Sequence, residues 1–167
     1  QMYAGQMEGL FNFQVSMEKL DGFDAEEYIQ RRHQLGLAPV HHLFNLRILG
    51  AIFRQVTLDI DHLHRRAAVH CDFKPSNLFF TRTGTVKVLD MGATAIYDTL
   101  SQPPLRVPAC TPGIAPCEAE ATAVFDTWTI ATSMLRMLGI GVDPTNPTSA
   151  LNALGMFAGS HEAWMSL

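Results

Sequence analysis

From Val40 to His64 the apolar residues Leu43, Leu46, Leu49, Ile52, Phe53, Val56, Ile60 and Leu63 recur at steps of three and four. That period predicts an α-helix, and a stripe this wide lets the helix pack against much of a domain. Gly50 is a tolerated interior glycine, and Arg65-Arg66 put positive charge at the end where the helix dipole favours it. Past this helix comes a polar segment, His70-Cys71-Asp72-Phe73-Lys74-Pro75-Ser76-Asn77. It reads as part of a loop from Ala68 to Asn77, closed by Pro75.

The residue types in that loop suit phosphoryl transfer. Asp72 can orient a hydroxyl and accept its proton, Lys74 can neutralise a transferring phosphate, and Asn77 can hold a metal ion. The bland alternative is a polar surface turn that holds a helix end. A chance match at five such positions has odds on the order of 10⁻⁴ in a chain of ordinary composition.

The flanking pattern places further elements. Phe11 to Leu20 alternates Phe11, Phe13, Val15 and Met17 and predicts a half-buried strand that breaks at Asp21-Gly22. Asp24 to Leu35 predicts a short helix stopped by Gly36. Leu78–Phe80 and Val86–Leu89 flank Arg82-Thr83-Gly84 and predict a small hairpin, with Asp90-Met91-Gly92 directly after its second strand. Ala93 to Pro116 reads as irregular. A stretch that long without structure is usually functional. Glu118 to Leu138 predicts a helix with Phe125, Trp128, Ala131, Leu135 and Leu138 on one face. Val142 to Thr148 reads as a proline-rich loop, and Ser149 to Leu167 as weakly helical.

Composition narrows the classes. A chain of 167 residues, 47% hydrophobic and 17% charged, is expected to form one soluble domain or a large piece of one. Its net charge of -4 argues against a nucleic-acid platform. Cys71, Cys110 and Cys117 show neither a Cys-x-x-Cys nor a zinc spacing, so reduced thiols and an intracellular, cytoplasmic location are expected. No apolar run reaches membrane-spanning length.

Taken together, these segments resemble the eukaryotic protein kinase family. His70 to Asn77 is similar to the catalytic loop H-R-D-x-x-x-x-N. Asp90-Met91-Gly92, 18 residues beyond Asp72, is similar to D-F-G. Thr111, Pro112 and Glu118 fall in register with G-T-P-x-Y-x-A-P-E, whereas Ala115-Pro116 is shifted by one. Asp126-Thr127-Trp128 resembles D-x-W at the start of the central C-lobe helix. Met17-Glu18-Lys19-Leu20-Asp21-Gly22 looks like the hinge. Lys74 two residues after Asp72, followed by Pro75, is similar to the Ser/Thr class.

The resemblance implies an α+β, protein-kinase-like fold: a mainly helical C-lobe with a hinge strand and a small catalytic-loop hairpin. Residues 1–167 would be a partial kinase domain lacking most of the N-lobe, since no G-x-G-x-x-G and no V-A-I-K lysine occur. Implied ligands are ATP and Mg2+, and the implied partner is a protein substrate. Asp72 would be the base and Lys74 would contact the γ-phosphate. Asn77 and Asp90 would hold magnesium, and Thr111 would bridge Asp72 and Lys74. Backbone groups of Glu18 and Leu20 would face the adenine, Phe79 would pack beneath it, and Asp24 would contact the ribose. Met17 would be the gatekeeper, and His70 and Met91 would stack in a spine. Asp126 would be buried, accepting hydrogen bonds from the catalytic-loop backbone.

Three departures carry consequences. Cys71 stands where the family has the Arg that answers an activation-loop phosphate, so activity is expected not to depend on phosphate at Thr94, Tyr97, Thr99 or Ser101. Cys110 replaces a Gly. The usual Arg partner of Glu118 has no counterpart but Arg136, which lies inside the predicted helix, so it is expected beyond the chain end. Cys71, Met91 and the irregular Pro116-Cys117-Glu118 favour the alternative of a pseudokinase scaffold that binds a protein without catalysis. A kinase-like enzyme for small molecules fits less well, because Thr111-Pro112 suggests a peptide-docking segment.

Overall fold

The computed structural model describes residues 2–6, 12–35, 43–98, 103–116 and 119–139. Two strands open the chain. β1 (Met2–Gln6) and β2 (Asn12–Ser16) pair antiparallel as a separate ribbon, with Tyr3 opposite Val15. Of the strand predicted from Phe11 to Leu20, Asn12–Ser16 form β2, and residues 17–20 leave the ribbon as an irregular connection to the next strand. A second sheet follows in the order β3 (Gly22–Asp24), β5 (Leu78–Thr81), β6 (Val86–Val88). The predicted hairpin is β5–β6, with Leu78 opposite Val88 and Gly84 in the turn at φ 81°. β3 lies close on β5: a Cβ at Gly22 would fall 1.9 Å from the Phe80 carbonyl oxygen, so only glycine fits there.

α1 (Ala25–Gln34) starts where Asp24 accepts a 2.8 Å hydrogen bond from the Glu27 N–H. Glu26 and Glu27 fill its first turn and Arg31, Arg32 and His33 its last, matching the helix dipole. Its predicted stop, Gly36, lies outside the described residues. α2 (Leu43–His64) is the long helix of the periodic stripe. Leu49, Phe53, Val56 and Ile60 are buried, together with Ala25, Phe73, Leu78, Met137 and Leu138, in one cluster joining α1, α2, the second sheet and the last helix. Each fully buried large side chain in such a cluster contributes about 1.5–3 kcal/mol relative to exposure. No helix among the described residues is long and apolar enough to cross a membrane.

The loop predicted from Ala68 to Asn77 contains β4 (Ala68–Val69) and a 3₁₀ turn, Pro75–Asn77. The segment predicted as irregular from Ala93 to Pro116 carries β7 (Ala95–Ile96), paired to β4, and β8 (Leu105–Arg106), paired to β9 (Glu120–Ala121). Strands of two residues leave no alternation to read; distant partners impose them.

The last helix, α3 (Ala123–Met137), begins later than the predicted Glu118, because Glu120–Ala121 is drawn into β9 and Thr122 caps the helix through the Phe125 N–H. Its buried face also differs. Ala131 is exposed, while Asp126, Thr129, Thr132 and Ser133 are buried beside Phe125 and Leu135. Thr129 and Thr132 tolerate burial because their hydroxyls donate to backbone carbonyls, Thr129 to Asp126 at 3.0 Å and Thr132 to Trp128 at 3.0 Å. The segments predicted beyond Gly139 lie outside the described residues.

Candidate active site

The catalytic-loop segment is held from beneath by one carboxylate. Asp126, fully buried near the start of α3, accepts the His70 N–H at Oδ2 (2.9 Å) and the Cys71 N–H at Oδ1 (2.9 Å). His64 Nε2, on the last turn of α2, lies 2.8 Å from Asp126 Oδ2. The clamp sustains an uncommon backbone: Cys71 sits at φ 67°, in the left-handed region. For a non-glycine residue that conformation costs on the order of 1–2 kcal/mol and persists only when its surroundings impose it. The Cys71 side chain is fully buried, and burial pushes its thiol up to about 11.

His70 links this loop to the segment after β6. Its Nε2 donates to the Leu89 carbonyl at 3.2 Å, and its Nδ1 accepts the Asp72 N–H at 3.3 Å, which fixes the tautomer. His70 is fully buried and packs edge-on against Phe73, whereas the expected spine partner Met91 is 46% exposed. The structure therefore puts His70 in the core and leaves Met91 at the surface.

Asp72, Lys74 and Thr111 form a closed triangle. Lys74 Nζ donates to Asp72 Oδ2 at 2.7 Å and to Thr111 Oγ1 at 2.9 Å. Thr111 Oγ1 donates to Asp72 Oδ1 at 2.7 Å. The Asp72 and Lys74 side chains keep 14% and 24% of their surface, so the group faces solvent at low exposure. Pro75 opens the 3₁₀ turn, where its missing N–H costs nothing. The turn carries Asn77 back so that its Nδ2 donates to the Asp72 carbonyl at 2.9 Å.

Asn77 immediately precedes β5, and Asp90 follows β6 after one intervening residue, both at the open end of the hairpin. The Leu89 N–H donates to the Asn77 carbonyl at 2.8 Å, which continues the ladder one step past Leu78–Val88, with Asp90 the next residue on. Asp90 is exposed at φ 60°, its Oδ1 accepting from the Gly92 N–H at 3.1 Å. Among the described residues no group of three or more His, Cys, Asp or Glu side chains could hold a metal ion. The Asn77–Asp90 pair instead offers one amide oxygen and one carboxylate. That sparse, hard donor set suits Mg2+, which commonly keeps water and substrate phosphates as its remaining ligands.

Of the residues expected near a nucleotide, Asp24 and Phe79 lie in the second sheet, Glu18 and Leu20 just before it, and Lys74 in the triangle. Asp24, Phe79 and Lys87 occupy one row across β3, β5 and β6. Lys87 Nζ pairs with Glu18 Oε2 at 2.5 Å, tying the segment before β3 to the hairpin. Leu20 and Phe79 are half-buried, and Met17 is exposed. Asp24 spends Oδ1 on capping α1. An apolar cavity of about 310 Å³, lined by Phe23, Tyr28, Leu49, Ile52, Phe80 and Met137, contains none of the side chains of the triangle.

The sequence of this chain matches the protein kinase domain over residues 12–147. The chain belongs to the protein kinase family. Within it, the chain is 33% identical over 88 residues to the serine/threonine-protein kinase PrkC of Bacillus subtilis, covering 52% of this chain and 12% of that protein. It is 33% identical over 85 residues to the serine/threonine-protein kinase Nek3 of Mus musculus, covering 51% and 15%. A probable serine/threonine-protein kinase, HAL5-like, of Kluyveromyces lactis is 37% identical over 46 residues, 28% of this chain and 6% of that protein. The chain thus spans a small part of the length of these kinases.

Two members of this kinase site escaped the sequence reading. His64 entered only as the end of the predicted helix, and the fold brings it to Asp126. Thr132 lay outside the face named from the sequence, and its hydroxyl also reaches the Ile114 carbonyl at 3.3 Å and ties α3 to the segment after Thr111. Glu118 lies outside the described residues, and Arg136 pairs with Glu26 on α1 at 3.5 Å.

Proposed function

We propose that this chain carries the catalytic loop of a Ser/Thr protein kinase, transferring the γ-phosphate of ATP to a Ser or Thr hydroxyl of a protein. The observation that carries the reading is the Asp72–Lys74–Thr111 triangle. Asp72 accepts one bond at each carboxylate oxygen from its two neighbours, which leaves lone pairs for a substrate hydroxyl. As that oxygen bonds to phosphorus and the bond to the departing ADP breaks, the hydroxyl proton goes to Asp72. Lys74 Nζ offsets negative charge on the phosphoryl oxygens, and Thr111 holds the Lys74–Asp72 geometry. Asn77 and Asp90 are the residues that would hold Mg2+, which when bound neutralises charge on the phosphates. Glu18, Leu20, Asp24 and Phe79 would line the nucleotide side. The reduced-thiol composition favours an intracellular setting.

The pseudokinase alternative draws on Cys71 and on Asp90, whose carboxylate is engaged by its own turn. Phosphate incorporation from labelled Mg·ATP into a protein substrate, by the full-length protein and its Asp72→Asn variant, separates the two. Transfer that Asp72→Asn reduces by at least about 10²-fold supports the enzyme. Equal incorporation by both overturns it.

A further inference from the structure

Tyr97 follows β7 and joins three parts of the chain that are distant in sequence. Its backbone N–H donates to the Ala67 carbonyl at 2.8 Å, anchoring it to the turn that enters β4 and the catalytic loop. Its hydroxyl donates to the Ala121 carbonyl in β9 and accepts the Leu105 N–H of β8 at 3.1 Å. β8 and β9 pair only through Leu105–Ala121 and Arg106–Glu120, extended by the Val107 N–H to the Ala119 carbonyl at 2.9 Å. Two-residue strands have little stability of their own. They close the loop that carries Thr111 to Asp72 and Lys74, so the phenol hydroxyl is a polar side-chain tie holding that loop's base to β7. It acts beside the apolar packing of Leu105 and Val107 on the cluster of Val69, Ala95 and Phe125.

We propose that Tyr97 is a phosphorylation-sensitive latch: esterification of its hydroxyl releases β8 and β9 from β7 and loosens Thr111 from Asp72 and Lys74. The modification forms an Oη–phosphorus bond, breaks the γ-phosphate bond of an ATP donor to give ADP, and loses the phenol proton. The product has no O–H to give Ala121. It brings a charge of about −1.5 to −2 against a carbonyl oxygen, and its ester oxygen is a poor acceptor for Leu105. Tyr97 is half-buried and lines a cavity of about 260 Å³ with His64, Val69, Pro104, Ala121 and Thr122, so the ring is not sealed in the core. The effect is opposite in sense to a phosphate that orders a segment by pairing with an arginine, the partner that Cys71 replaces.

The test is amide hydrogen exchange on the full chain, with phosphotyrosine installed at position 97 during synthesis and Tyr97→Phe alongside. The Leu105 and Val107 amides should exchange about tenfold faster in the phosphorylated chain and several-fold faster in Tyr97→Phe, relative to the unmodified chain. Amides of α2 in the same samples should stay unchanged, which separates unlatching from unfolding. Protection of Leu105 and Val107 retained in the phosphorylated chain would overturn the proposal. So would loss of protection spread equally over α2. The measurement does not require phosphate transfer by the chain, so its outcome is independent of the proposed enzymatic activity.

Discussion

Thr111 Oγ1 lies 2.7 Å from Asp72 Oδ1 although 39 positions of chain separate them. Thr111 follows β8 in the chain, and Lys74 completes the contact at 2.9 Å from Thr111. A hydrogen bond to a charged group contributes about 1.5–3 kcal/mol. Thr111→Val keeps the shape and removes the hydroxyl. Phosphate transfer should fall about 10- to 100-fold through kcat, with Thr111→Ser restoring most of it, as steady-state kinetics on a protein substrate would record.

Asp126 accepts two buried backbone N–H groups and stands beside His64. Truncation leaves those donors buried without a partner and removes what sustains Cys71 at positive φ. Asp126→Ala should lower unfolding free energy by about 3 kcal/mol or more, read from the urea midpoint at unchanged slope.

Burial raises the Cys71 thiol from 9.0 to about 11. The unfolded chain therefore ionises first. This contribution to stability is fully present below pH 9.0 and is lost as pH rises through about 11. Two pH units correspond to about 2–3 kcal/mol. Urea denaturation at pH 8 and at pH 10 should show a loss that Cys71→Ala lacks. At neutral pH a thiol reagent should modify exposed Cys110 well before Cys71.

Gly22 admits no side chain, because a Cβ would meet the Phe80 carbonyl oxygen at 1.9 Å. Gly22→Ala must push β3 off β5 and with it Asp24, the cap of α1. The expected cost is about 2–3 kcal/mol, seen as a lowered Tm.

Asp90 is exposed and bonds only within its own turn among the contacts described. Asp90→Ala should change unfolding free energy by less than about 1 kcal/mol while abolishing magnesium-dependent transfer. A stability change without loss of transfer would remove Asp90 from the metal-binding pair.

Much of this was legible in advance because its signals are local. The stripe from Leu43 to Leu63 sets a helical period, and Arg82-Thr83-Gly84 separates two apolar runs. Spacing within one loop was enough to pick out Asp72, Lys74 and Asn77. The errors fall where a distant partner decides. β7, β8 and β9 are two-residue strands with no period, and α3 starts only at Ala123 because β8 claims Glu120–Ala121 before it.

By itself, then, the sequence determined the helices, the hairpin and the residue types of a phosphoryl-transfer loop, since each depends on neighbours a few positions away. Tertiary structure decided how those residues act. It placed Asp126 beneath the catalytic loop with both carboxylate oxygens engaged, as the resemblance implied, recruited His64, and buried Cys71 in a backbone state it would not adopt alone. It also made Thr111 and Asp72 neighbours. Hydrogen bonds across 39 to 62 positions require the whole core to form first, and no short window of residues encodes that condition.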